Sequence, residues 1–117
     1  MQIPIRQLTP ELAVAPQLSP DDMAAAAAAG FRGVLNNRPD GEAGPDQPTS
    51  ADIQAAAEAA GLQYIHLPMP SSGHTPEQAQ AFAQALAALP RPVLAFCRTG
   101  NRSTSLFSLA RALGLLD

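Results

Sequence analysis

Lysine is absent. All seven basic residues are arginine and stand against ten acids, for a net charge of -3. That balance leaves no basic face for a phosphate backbone, so no nucleic-acid partner is expected. Cysteine occurs once, at Cys97. An internal disulfide is therefore impossible, and a chain suited to a reducing compartment is expected in the cytoplasm. One Cys and two His have no ligand spacing, so no metal is expected and no other cofactor is called for. Long apolar runs are missing too: the longest, Met23 to Ala29, is much too short to cross a bilayer, and no membrane partner is expected. The opening Met1-Gln-Ile-Pro-Ile-Arg6 lacks the charged start and apolar centre of an export signal. No repeat or linker interrupts the 117 residues, a length that suits one domain over 1–117. The last helical pattern reaches Leu115-Leu116-Asp117 without a stop signal, which leaves room for further chain.

What is present alternates. Ile3 to Leu8 and Leu12 to Ala15 look like short strands parted by Thr9-Pro10. Ser19-Pro20-Asp21-Asp22 announces a helix, with Ser19 as its cap and Pro20 in the first helical position, running through Met23 and six alanines to Gly30. Phe31 to Leu35 is the next strand. The stretch from Asn36 to Pro48 carries three prolines, two glycines and three acids with no apolar residue larger than Ala, which makes it an exposed loop. Thr49 or Ser50 caps a helix over 51–60 that stops at Gly61, and Leu62 to Leu67 forms a strand with Tyr64 and His66 on one face. A loop over 68–74 leads to Thr75-Pro76-Glu77-Gln78, a capping box, and to a helix whose Phe82, Leu86 and Leu89 share a face. This order predicts an α/β fold with a mainly parallel central sheet and helices on both faces. Ligands in such sheets bind beyond the carboxyl ends of the strands, where the loops over 36–48 and 68–75 and the loop that follows Cys97 would meet.

The most informative stretch is Pro92-Val-Leu-Ala-Phe-Cys97-Arg-Thr-Gly-Asn-Arg102-Ser103, an apolar strand that ends in Cys97 and passes through a glycine loop into a helix. Such a turn is an anion cradle. The amides of Arg98, Thr99, Gly100, Asn101 and Arg102 can point inward, the helix start adds a positive dipole end, and Arg102 offers a planar fork. A thiol at the base of that cradle is favoured as thiolate and aimed as a nucleophile at the anion held above it. The alternative, a small buried Cys, would explain neither the flanking arginines nor the hydroxyls of Ser103 and Thr104. Arg98 should point away from the cradle, toward solvent or an acid. The expected partner is a small anionic or phosphorylated molecule.

Two families use a Cys-loop-Arg cradle. The CRTGNRS loop, with four residues between Cys97 and Arg102, resembles the active-site loop of rhodanese sulfurtransferases; cysteine-dependent tyrosine and dual-specificity phosphatases keep five. The Asp-Val-Arg and Gly-His-Ile-Pro-Gly-Ala segments of rhodaneses are missing. Instead Gln17-Leu-Ser-Pro-Asp21, Gly30-Phe-Arg-Gly-Val-Leu-Asn-Asn-Arg-Pro-Asp-Gly-Glu42, Tyr64-Ile-His-Leu-Pro68 and Leu94 to Ser103 resemble the bacterial beta-lactamase-hydrolase-like protein, phosphatase-like domain family, over nearly the whole chain. The resemblance implies a tyrosine-phosphatase-like three-layer fold and a hydrolase. It also implies fusion or association, in some members, with a metallo-beta-lactamase-like protein linked to sulfide handling.

For a phosphatase, Cys97 attacks phosphorus, the loop amides and Arg102 hold the oxygens, and Ser103 stabilises the thiolate as it leaves. A general acid must protonate the departing oxygen. Dual-specificity phosphatases carry an Asp for this in the loop that corresponds to 68–75, which here has no acid and only His74 to titrate. Asp40 is the choice, with His74 and Glu42 as substitutes; that Asp40 and Glu42 are simply turn acids around Gly41 stands beside it. Arg38 either projects toward the anion or pairs with Asp40, and His66 is expected to be a hydrogen-bonded strand residue. For a sulfurtransferase, Cys97 carries a persulfide and needs no strong acid, which the short loop and the missing Asp favour. A module that only binds an anion would have little use for an intact Cys97. Phosphoester hydrolysis is the first expectation and sulfur transfer the alternative.

Overall fold

The computed structural model describes residues 3–116. Three four-residue strands form the middle of the molecule: β2 (Leu12–Ala15), β3 (Gly33–Asn36) and β5 (Val93–Phe96), every residue of them buried. Burial on both faces is why they read as nearly continuous apolar runs, the pattern of parallel strands covered by helices on each side. β1 (Arg6–Thr9) and β4 (Gln63–His66) close the edges, giving the order β1-β2-β5-β3-β4 with only β1 antiparallel.

Helices α1 (Asp22–Ala28) and α2 (Ser50–Ala59) cover one face, where Met23, Ala26, Ile53 and Ala57 pack on Ala13, Val34, Leu94 and Phe96. Helices α3 (Pro76–Ala88) and α4 (Asn101–Ala112) cover the other, where Phe82, Leu86 and Leu106 meet Leu12, Val14, Leu35 and Ala95. The alternation of side chains along each strand sends even positions of β5 to one layer and odd positions to the other. This is the three-layer α/β arrangement expected from the sequence. Among the described residues no helix is long and apolar enough to cross a membrane.

Register aligns the outlets of the sheet. Ala15 and Asn36 both stand opposite Phe96, and His66 stands opposite Asn36. Pro16, Asn37, Leu67 and Cys97 are therefore the first residues past one edge, and the four loops they begin converge there.

Boundaries depart from expectation where backbone donors find other partners. β3 starts at Gly33 and not Phe31, because the Phe31 N–H bonds to the Ala26 carbonyl and finishes α1. Ser19 does not cap α1: its N–H and hydroxyl both donate to Asp22 Oδ2, at 2.8 and 3.1 Å, and the helix starts three residues later than the cap was placed. Thr49 does cap α2, accepting from the Asp52 N–H, and Thr75 with Gln78 forms the reciprocal capping box of α3. α4 stops at Ala112, well before the expected run to Asp117, a residue outside those described. Gly114, at φ 71°, lets its own N–H reach the Arg111 carbonyl and the Leu115 N–H reach the Ala110 carbonyl, a Schellman ending that overrides the leucines beyond it.

Candidate active site

Cys97 leaves β5 fully buried, and the Gly100 N–H donates to its Sγ at 3.1 Å. Gly100 makes that contact possible. It sits at the α4 N-cap with φ 92°, where a side chain is strained, and a Cβ would lie 3.5 Å from the Ala15 backbone. The result is a sulfur at the mouth of a helix N-terminus that accepts a hydrogen bond from a backbone amide.

Arg102 and Ser103 occupy the first turn of α4, and both are buried. The Arg102 guanidinium is steered from two loops: Nη1 donates to the Met69 carbonyl at 3.1 Å and Nη2 to Glu42 Oε1 at 3.0 Å. Its Nε–H is buried with no acceptor among the described residues. A buried guanidinium donor without a partner is costly unless a ligand supplies one. Ser103 stands elsewhere than expected: its hydroxyl donates to Asn37 Oδ1 at 2.8 Å, and Asn37 in turn donates to the Leu67 carbonyl. The hydrogen bond to sulfur comes from the Gly100 N–H, while Ser103 locks α4 to the loop after β3.

Glu42 holds the arginines together. Its Oε1 accepts from Arg102 and, at 2.8 Å, from Arg38 Nε, while Arg38 Nη1 donates to Gln17 Oε1 at 3.0 Å. The hydrogen bond from Arg102, reinforced by Arg38, holds the Glu42 carboxyl below its ordinary range against the opposing effect of burial. Arg38 thus pairs with Glu42 and not with Asp40. Its side chain is buried beside the cradle's own arginine.

Asp40 lies apart. It is exposed, and its Oδ1 accepts the Ser50 N–H at 2.8 Å, tying the loop to the start of α2. No hydrogen bond joins it to residues 97–103 among the described residues. His74 is half-buried and closes its own loop, Nε2 against the Pro70 carbonyl at 2.9 Å. His66 donates from Nε2 to the Arg38 carbonyl, the hydrogen-bonded role expected of it. Arg98 and Asn101 are exposed, and Thr99 accepts the Asn101 N–H. Thr99 is exposed as well.

Gln17 and Asn37 were not singled out from sequence, yet both build the site. Gln17 also donates its N–H to the Arg98 carbonyl, stitching the β2 outlet to the cradle. Only their register beyond β2 and β3 could have pointed to them. Beside them Tyr64 OH joins Asn36 and Ser50, and burial pushes its phenol pKa up. A cavity of about 390 Å³ lined by Leu12, Leu86, Val93 and Phe107 opens at the opposite end of the strands, away from Cys97.

The family described as "Beta-lactamase hydrolase-like protein, phosphatase-like domain" matches residues 4–114. Curated relatives named beta-lactamase hydrolase-like protein are 36% identical in Xylella fastidiosa, over 93% of this chain, and 36% identical in Agrobacterium fabrum, over 92% of it. The chain spans about a quarter of their length, 25% in each case. A Neisseria meningitidis crystal structure described as a candidate phosphatase superposes with a TM-score of 0.88 at 32% identity, covering 97% of this chain and 80% of that one. Pseudomonas aeruginosa TpbA, in a Cys-to-Ser variant bound to phosphotyrosine, shares the fold with a TM-score of 0.69 at 17% identity, over 98% of this chain and 67% of that one.

Proposed function

Because the chain belongs to the phosphatase-like domain family of beta-lactamase hydrolase-like proteins, we propose that it is a cysteine-dependent phosphatase acting on a phosphate monoester held over Cys97. One observation carries the reading: the donor on Cys97 Sγ and the unpartnered Nε–H of Arg102 belong to the same short loop. The phosphoryl oxygens would accept from that Nε–H and from the amides of Arg98, Thr99 and Arg102, since the Gly100 and Asn101 amides already bond to Cys97 Sγ and Thr99. The Cys97 thiolate lone pair forms the S–P bond as the P–O bond breaks, and that electron pair leaves with the departing oxygen. Water then attacks phosphorus, the S–P pair returns to sulfur, and phosphate and a proton are released. Arg102 and the amides offset the charge that spreads over the transferring group.

A second reading is favoured by the four-residue spacing between Cys97 and Arg102. There the thiolate takes the outer sulfur of thiosulfate, sulfite departs with the electron pair of the broken S–S bond, and a thiol acceptor removes that sulfur and returns Cys97 to thiolate. The rest of the relatives' length leaves a place for a fused metallo-beta-lactamase-like part to receive such a sulfur. A paired assay separates the two readings: phosphate release from an aryl phosphate, and sulfur transfer from thiosulfate to cyanide, each blanked with Cys97→Ser. The proposal expects Cys97-dependent phosphate release. Sulfur transfer alone would replace it with the second reading, and full activity in Cys97→Ser would remove both.

A further inference from the structure

We infer, resting on the phosphatase reading, that the leaving oxygen departs without a proton from the protein, so the site selects phosphates of acidic hydroxyl groups, aryl phosphates and acyl phosphates, over alkyl phosphates. The inference comes from where Glu42, Asp40, Asp22, His66 and His74 are placed. Glu42 is the one acid hydrogen-bonded to any residue of the 97–103 segment among the described residues, and two guanidinium groups bind the same oxygen of it. A carboxylate so held is stabilised as the anion and is a poor proton donor. Asp40 is turned to the α2 amide of Ser50, and Asp22 accepts twice from Ser19. His66 and His74 each direct Nε2 at a backbone carbonyl. The loop over 68–75, beside Arg102 through Met69, contains no acid at all.

The chemistry that remains is a thiolate, amide protons and two arginines. These stabilise a phosphoryl group in transfer but give no proton to an alkoxide. Formation of the S–P bond must then expel the leaving oxygen as its anion, later protonated by water. A phenolate or carboxylate tolerates this and an alkoxide does not. Positioned proton transfer contributes about 10²–10⁴-fold where it exists, so its lack sets the scale of discrimination.

The test is kcat/KM for a series of substituted phenyl phosphates spanning acidic to weakly acidic phenols, with acetyl phosphate and an alkyl phosphate at the ends, in the wild type, Cys97→Ser, Asp40→Asn and His74→Ala. The expected result is a steep fall with rising leaving-group pKa, an alkyl phosphate at least about 100-fold below the nitrophenyl ester, and the same slope in Asp40→Asn and His74→Ala. A shallow slope in the wild type that becomes steep in either variant would identify a general acid and overturn the inference while leaving the phosphatase reading intact. No Cys97-dependent release from even the most acidic ester would remove the phosphatase reading and this inference with it.

Discussion

At the scale of single residues the site is a charge arrangement before it is a reaction. Two buried arginines share one carboxylate, so the trio Arg38, Glu42 and Arg102 carries a net positive charge that favours an anion. Glu42 is a positioning residue: its carboxylate sets where both guanidiniums stand. Glu42→Gln keeps the shape and removes the charge. We expect kcat/KM to fall about tenfold, the scale of a hydrogen bond to a charged group in a partly exposed position. The same ion pairs give stability a pH dependence. Because the folded state lowers the Glu42 pKa, its stabilising contribution is complete above the ordinary carboxylate value of about 4.3 and disappears as pH falls through the depressed value. The gap in unfolding free energy between wild type and Glu42→Gln, measured by urea titration, should narrow on acidification below that range. A gap independent of pH would contradict this role. None of this was legible beforehand, because Glu42 and Arg102 lie sixty positions apart and each reads locally as a turn acid and a cradle arginine.

At the scale of elements, the expectations that held are those decided within a few residues. Thr49 and the Thr75 box cap their helices, and β2 lies at Leu12–Ala15 as its apolar run implied. Those that failed turn on a competing partner. Ser19 was a good cap by type, but its donors go to Asp22; the helix read as running to Asp117 without a stop ends earlier, because Gly114 allows two backbone bonds back into α4. Asp40 illustrates the same competition at a functional level. Its residue type and its place after a strand suggested an acid for catalysis, whereas its carboxylate serves the first turn of α2. Asp40→Ala should therefore destabilise the protein by about 1 kcal/mol, the usual effect of losing an acceptor at a helix start, and Asp40→Asn, which still accepts, should change it by less than about 0.5 kcal/mol. Denaturation midpoints of the two variants check this. An Asp40→Ala variant as stable as wild type would show that the Ser50 contact contributes nothing.

At the scale of the whole molecule, function follows from register. β2, β3 and β5 end level, so loops distant in sequence meet over Cys97, and the cradle's own residues supply only part of the site. The α/β architecture and the cradle could be read from the chain because strand, loop and helix alternate in sequence as they do in space. The partners of Arg102 and Ser103 could not, because Met69, Glu42 and Asn37 reach them only once the sheet is assembled. The central claim is that this assembly makes Cys97 the covalent acceptor of a phosphoryl group. The most direct measurement is rapid acid quench of the protein during turnover of an aryl phosphate, followed by peptide mass analysis. The account predicts one added phosphoryl group on the peptide that contains Cys97, absent from Cys97→Ser. Phosphate release at full rate with that peptide unmodified at every quench time would contradict it.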